Sequence, residues 1–278
     1  MNDTTSSRRL RVAACQMVSG TRVDENLATA ARLIGQAAAA GAQLVALPEY
    51  FCLMGRQDGD KVAIREAEGA GPLQEFLASQ ARKHGVWLAG GTIPLAAPEP
   101  DRVLNTTLVY DPRGRCVARY DKIHLFAFSR GAERYNEART ICAGRAVGRF
   151  AIPLAEGAEV SVGLSVCYDL RFPELYRAMG TPDLILVPAA FTATTGRAHW
   201  TTLLRARAIE NLAYVLAPAQ GGVHENGRAT YGHSCLIEPW GELQSELAEG
   251  EGVVLGEVDL DRIADLRASL PALDHRVL

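Results

Sequence analysis

Short apolar runs of strand type alternate with helical periodicity along most of the chain, a pattern that predicts an α/β sheet protein. Leu10 to Met17 reads as a first strand. From Asp24 the apolar positions Leu27, Ala30, Ala31, Ile34 and Ala38 recur at helical spacing until Gly41 stops them. A strand from Gln43 to Leu47 runs into Pro48-Glu49. Pro72 opens a second helix, Gly85 closes it, and Val86 to Thr92 reads as the next strand. Leu104 to Tyr110 and Arg115 to Tyr120 flank the turn Asp111-Pro112-Arg113-Gly114, which predicts a hairpin with Lys122 just past its second strand.

Further on, Val160 to Val166 reads as a strand leading straight into Cys167, Pro173 to Met179 as a helix ended by Gly180, and Asp183 to Val187 as another strand. His199 to about Ala213 reads as a long helix with Trp200, Leu204, Ala208 and Leu212 on one face. The remainder predicts strands, including His233 to Glu238 and Val253 to Val258, the turn Pro239-Trp240-Gly241, and a closing helix from Asp261 to Leu270. Gln43-Leu-Val-Ala-Leu-Pro48 and Asp183-Leu-Ile-Leu-Val-Pro188 look alike, a hint of two related halves. With no linker or low-complexity stretch, a single domain is expected over residues 1–278, its core spanning about 10–270 behind a short tail at 1–8.

Composition narrows the class. The 278 residues are 48% hydrophobic and 22% charged, which excludes fibrous and disordered chains. A net charge of −3 recommends neither nucleic acid nor an anionic membrane, so the expected partner is a small molecule. No apolar run reaches the roughly 18 residues of a membrane span. Arg8 and Arg9 ahead of Val12 to Cys15 superficially resemble an export signal, but Arg11 interrupts the apolar segment. Six cysteines without a Cys-x-x-Cys pair fit a reducing cytoplasm, and the sequon-like triplets at Asn2 and Asn105 are then expected to carry no sugar.

In open α/β sheets, reactive groups gather just beyond strand ends, where side chains leave the core while keeping its rigidity. Glu49, Lys122 and Cys167 occupy such positions. A thiol of pKa near 8.5 needs a base to take its proton or a cation to stabilise its thiolate, and a carboxylate with an ammonium supplies both. The same pair suits acyl transfer to water: the carboxylate activates the water and the ammonium stabilises an oxyanion. Lys122 stands out because the chain has 29 basic residues of which only Lys61, Lys83 and Lys122 are lysines. His124, His199 and His233 show no metal-ligand spacing, so neither metal nor cofactor is expected. Gly163-Leu-Ser165-Val-Cys167 lacks the last glycine of a serine-hydrolase elbow, which leaves Ser165 an ordinary strand residue.

The segments Leu-Pro-Glu49-Tyr, Asp-Lys122-Ile-His-Leu-Phe and Ser-Val-Cys167-Tyr-Asp-Leu-Arg-Phe-Pro-Glu174 resemble, in order, the motifs of the nitrilase superfamily of carbon-nitrogen hydrolases. The resemblance runs from about Leu10 to Val277 and includes Thr194 to Trp200, Arg205 to Glu210, Tyr231 to Ser234 and Glu238 to Gly241. It implies a four-layer α-β-β-α sandwich that assembles as a homodimer or larger homo-oligomer. It also implies Glu49 as general base, Lys122 as the cation at the tetrahedral intermediate, and Cys167 as the nucleophile that forms a thioester while ammonia leaves. Lys122 and the Tyr168 backbone N–H would form the oxyanion hole. A second glutamate near the lysine is implied, with a glycine seven residues later; Glu137 with Gly144 fits and Glu133 is the rival.

Among branches, Cys167 to Trp240 looks most like amidases of deaminated glutathione, then ω-amidases of 2-oxo-dicarboxylic amides. Such substrates carry carboxylates, so an arginine is expected at the pocket; Arg171 and Arg197 are the candidates, with Arg171 favoured as a structural ion pair and Arg197 as a solvated loop residue. Phe191, past Pro188, is a candidate for the acyl pocket. Two rival readings use the same scaffold: an N-carbamoyl amine hydrolase with the same three residues, and a catalytically silent interaction protein.

Overall fold

The computed structural model describes residues 8–131 and 133–277; most of the expected N-terminal tail, with Asn2, lies outside them. Two sheets make the body of the molecule. One has eight strands, with Gly252–Asp259, Arg9–Gln16, Leu44–Ala46, Trp87–Ala89, Val103–Tyr110 and Ile93–Ala96 in spatial order, and with Cys116–Asp121 and Ile141–Cys142 also paired to Val103–Tyr110. The other runs Gly148–Pro153, Glu159–Leu164, Leu184–Leu186, Tyr214–Ala217, Ser234–Ile237, Leu243–Leu247.

The layering follows from the two-residue period of a strand, which sends successive side chains to opposite faces. Along Arg9–Gln16, Ala13 and Cys15 pack with Val45, Leu47 and Leu88 against Ala30, Leu33 and Ile34 of helix Val23–Ala39 and Leu73 and Leu77 of helix Pro72–His84. Their neighbours Val12 and Ala14 join Leu44, Ala46, Val160, Val162, Leu184 and Leu216 in a core between the sheets, which continues to Trp200, Leu204 and Ala208 of helix Ala193–Asn211. Helices, sheet, sheet and helices therefore stack in four layers, the sandwich expected.

The likeness of 43–48 to 183–188 has a counterpart in space. In both sheets the successive pairings run antiparallel, parallel, parallel, antiparallel, antiparallel, and Leu44–Ala46 and Leu184–Leu186 hold the same place in that series.

Several boundaries differ from the sequence reading. The long helix starts at Ala193, six residues before His199, because the Thr192 hydroxyl accepts from the Thr195 N–H and caps an unusually polar first turn. It ends at Asn211, with Leu212 in the left-handed conformation rather than on the helical face. The predicted strand Val86 to Thr92 stops at Ala89, and a separate strand, Ile93–Ala96, follows. Gly91 breaks it: φ is +54°, and a Cβ there would lie 2.1 Å from the Pro48 carbonyl oxygen. The strand Gly148–Pro153 and the hairpin Ala127–Arg130/Glu133–Asn136 had no recognisable alternation and were not anticipated. Among the described residues no helix is long and apolar enough to cross a membrane.

Gly144 shows how closely the backbone packs beside Lys122. Its N–H donates to the Lys122 carbonyl at 2.8 Å, and a Cβ would lie 2.0 Å from the Asp121 carbonyl oxygen. Gly144→Ala must therefore push the backbone apart, with an expected cost of about 1–3 kcal/mol, the overpacking range. A chemical-denaturation midpoint unchanged from that of the parent would contradict this packing.

Candidate active site

Glu49, Lys122 and Cys167 leave their strands at the same rim. Glu49 follows Leu44–Ala46 by three residues, Lys122 follows Cys116–Asp121 directly, and Cys167 follows Glu159–Leu164 by three. Lys122 is fully buried, and its Nζ donates to Glu49 Oε1 at 2.8 Å and to Glu137 Oε1 at 2.9 Å. The Asn105 side-chain amide donates to the same Glu49 oxygen, and the Ala190 N–H donates to Oε2. Glu137 also accepts from the Tyr50 hydroxyl and the Phe126 N–H. Asn105 is thus buried and engaged in the interior.

The structure separates Glu137 from its rival. Glu133 accepts from the Thr194 hydroxyl at 2.7 Å and lies in an outer chamber, whereas Glu137 holds the lysine.

Cys167 sits on a strained turn. Its φ of +50° is uncommon for a residue with a side chain, and the chain passes from strand Glu159–Leu164 into the 3₁₀ turn Cys167–Arg171 there. The geometry matches the strand-to-helix elbow that exposes nucleophiles in unrelated hydrolases, although its glycine pattern is absent. The Cys167 N–H donates to the Pro188 carbonyl, which places the adjacent Tyr168 N–H at the open start of the turn, where helical donors lack internal acceptors. Ser165 is structural, donating to the Leu186 carbonyl and accepting from Tyr176.

Asp169 ties this turn to the lysine segment. Buried completely, its Oδ2 accepts from the Val166 N–H at 2.9 Å and the Tyr120 hydroxyl at 2.6 Å. Its Oδ1 accepts from the His124 N–H and lies 2.7 Å from His124 Nδ1, which must carry the proton because the carboxylate can only accept. Tyr120 and His124 bracket Lys122, so one carboxylate positions both the sulfur and the ammonium.

Electrostatics set the resting protonation. Burial alone would lower the Lys122 pKa, but the Glu137 and Glu49 carboxylates outweigh it and hold the ammonium above the ordinary lysine value. Burial also works to raise Glu137, yet Lys122 and the Phe126 N–H hold it below the ordinary carboxylate value. Burial, and then the Glu49 charge, push the Cys167 thiol well above its usual pKa despite Lys122. At rest the sulfur is therefore a neutral thiol.

Glu49, Glu137, Cys167, Tyr168, Phe191 and Arg228 line a narrow pocket with room for about one water molecule. Beyond it lies an outer chamber of about 420 Å³. Phe191 packs on Trp200 in a tilted pair, ring centroids 5.0 Å apart and planes at 50°. Neither candidate arginine lines the narrow pocket or the chamber. Arg197 is exposed on the first turns of its helix and lines neither cavity, because the helix starts earlier than its sequence indicated. Arg171 forms no ion pair among the described residues; it lies 3.3 Å from His199 Nδ1 and over the Tyr168 and Phe191 rings, where a flat guanidinium stacks well. Sequence reasoning missed Asn105, Asp169, Tyr50 and Arg228; only Asp169, a carboxylate in an apolar turn beside the cysteine, gave a usable signal.

Residues 11–268 match the carbon-nitrogen hydrolase family. The chain belongs to that family. The hydrolase is 40% identical over 269 residues to a deaminated glutathione amidase of Synechocystis sp., covering 95% of this chain and 97% of that one. Its fold matches the crystal structure of Saccharomyces cerevisiae Nit3, of the nitrilase superfamily, at TM-score 0.83 and 28% identity, covering 100% of both chains. The Caenorhabditis elegans NitFhit structure matches at TM-score 0.85 and 36% identity, covering 98% of this chain and 66% of that one.

Two predictions follow from the buried charges of the hydrolase. Asp169→Asn turns a donor toward a cluster of donors, so it should cost about 1–3 kcal/mol of stability. It should also lower kcat far more than it raises KM, since it displaces the segments bearing both Cys167 and Lys122; an unchanged kcat would remove the positioning role. The raised Lys122 pKa means that its contribution is complete below the ordinary value of about 10.4 and is lost only as pH rises through the higher folded value. The depressed Glu137 pKa means that its contribution is present above the ordinary carboxylate range and is lost as pH falls through the lower folded value. The alkaline limb expected from lysine deprotonation should therefore lie above about pH 10 in a kcat/KM profile, and a lysine-dependent limb below pH 9 would contradict the charge arrangement.

Proposed function

We propose that the protein is a thiol amidase that cleaves the C–N bond of a small carboxylate-bearing amide through a thioester on Cys167. The observation that carries this reading is the Lys122 ammonium bound between Glu49 and Glu137, two carboxylates that line the same narrow pocket as Cys167.

In this reading Glu49 takes the thiol proton as sulfur attacks the amide carbon. Lys122 and the Tyr168 N–H stabilise the oxyanion, and Glu137 holds Lys122 in place. The C–N bond breaks as the proton passes from Glu49 to the departing nitrogen, which leaves as ammonia from a primary amide or as an amine from a substituted one. Glu49 then draws a proton from water, which attacks the thioester, releases the acid and restores the thiol. The outer chamber falls in the size range of small-molecule sites and has space for a leaving group larger than ammonia. Together with the relative's name, that volume favours deaminated glutathione over a short primary amide.

A panel of deaminated glutathione, 2-oxoglutaramate and an N-carbamoyl amine, followed by amine, ammonia and carbon dioxide release, tests the reading. Hydrolysis of the first is expected to be fastest, to fall to background in Cys167→Ala, and to drop by about 10²-fold or more in Lys122→Ala. Carbon dioxide release as the main reaction, or no turnover of any amide by the folded protein, would overturn it.

A further inference from the structure

We propose that Arg228 is the substrate-binding residue that receives the carboxylate of a short dicarboxylic acid bound through its other end at Cys167, an inference that rests on the amidase reading above. Among the described residues only Phe126, Glu137 and Arg228 line both the outer chamber and the narrow pocket containing the sulfur. Arg228 therefore stands at the junction a substrate must cross. It lies just before strand Ala229–Tyr231, and its backbone is fixed: its N–H donates to the Asn226 side chain and its carbonyl accepts from the His224 N–H.

The guanidinium is held but not neutralised. Its Nη2 donates to the Ala190 carbonyl at 3.0 Å, and the N–H of that same residue donates to Glu49. The plane lies over the Tyr135 ring, 5.0 Å from its centroid. Nη1 meets only the thioether sulfur of Met54 at 4.0 Å, and Nε is buried without an acceptor. Among the described residues no carboxylate pairs with Arg228. Glu137 is committed to Lys122, Tyr50 and Phe126, and Glu133 to Thr194. A buried N–H without an acceptor is costly, and a guanidinium fork fits a carboxylate with two charge-assisted hydrogen bonds. By contrast Arg56, at the chamber rim, is already paired with Glu225.

The test reads carboxylate binding apart from turnover. Alkylation of Cys167 by iodoacetamide, followed by mass spectrometry of its peptide, is timed with glutarate, with the uncharged 1,5-pentanediol, and with neither. Glutarate is expected to slow alkylation of the parent protein by about fivefold or more while the diol does not, and Arg228→Ala and the similarly sized Arg228→Gln should lose that protection. Arg228→Lys, which keeps the charge without the fork, should recover part of it. In turnover, the same losses should appear as KM raised about tenfold or more for the carboxylate-bearing amide, with kcat little changed. Equal protection of the parent and Arg228→Gln, or no protection of the parent, would overturn the assignment whatever the turnover. Arg228-dependent protection without any amide hydrolysis would support the anion site and overturn the amidase reading instead.

Discussion

A lysine ammonium buried with no exposed surface governs this molecule. A lone charge there would be prohibitively costly, and pairing is what makes it tolerable. Two carboxylates meet Lys122, and each is then fixed by further donors: Asn105 and Ala190 on Glu49, Tyr50 and Phe126 on Glu137. The cluster carries one more negative than positive charge. That excess, with burial, keeps the neighbouring sulfur protonated. The donors around both carboxylates are already oriented, so the charges are held in place by the fold itself.

The supporting structure serves that constraint. Asp169 gathers donors from the two segments that carry Cys167 and Lys122, so the sulfur and the ammonium share one anchor. Gly91 and Gly144 let the backbone approach where a methyl group would not fit, beside the segments bearing Glu49 and Lys122 respectively. Positive φ at Tyr50 and Cys167 places two non-glycine residues in strained conformations within the same small volume. Strain of that kind persists only where surrounding contacts enforce it.

Much of this was legible in the chain. Glu49, Lys122 and Cys167 could be picked out because strand-end position is encoded locally, by an apolar run and its interruption. The four layers were not legible from alternation alone, since fully buried strands such as Leu184–Leu186 show no polar face to read. The start of helix Ala193–Asn211 was hidden because Thr194, Thr195 and Gly196 are weak helix formers that tertiary packing overrides. Arg228 was invisible for a different reason. In a chain with many arginines, what distinguishes this one is a buried guanidinium nitrogen without an acceptor where two cavities meet, a property of three-dimensional surroundings that no spacing reports.

The matching order of strand pairings divides the buried cluster between the two sheets. Glu49 and Lys122 come from the sheet of the first half, whereas the Cys167 sulfur leaves the sheet of the second, so neither half alone holds all three side chains. The strand Gly252–Asp259 laces the late part of the chain back onto Arg9–Gln16, so the first sheet is itself closed by residues from the second half.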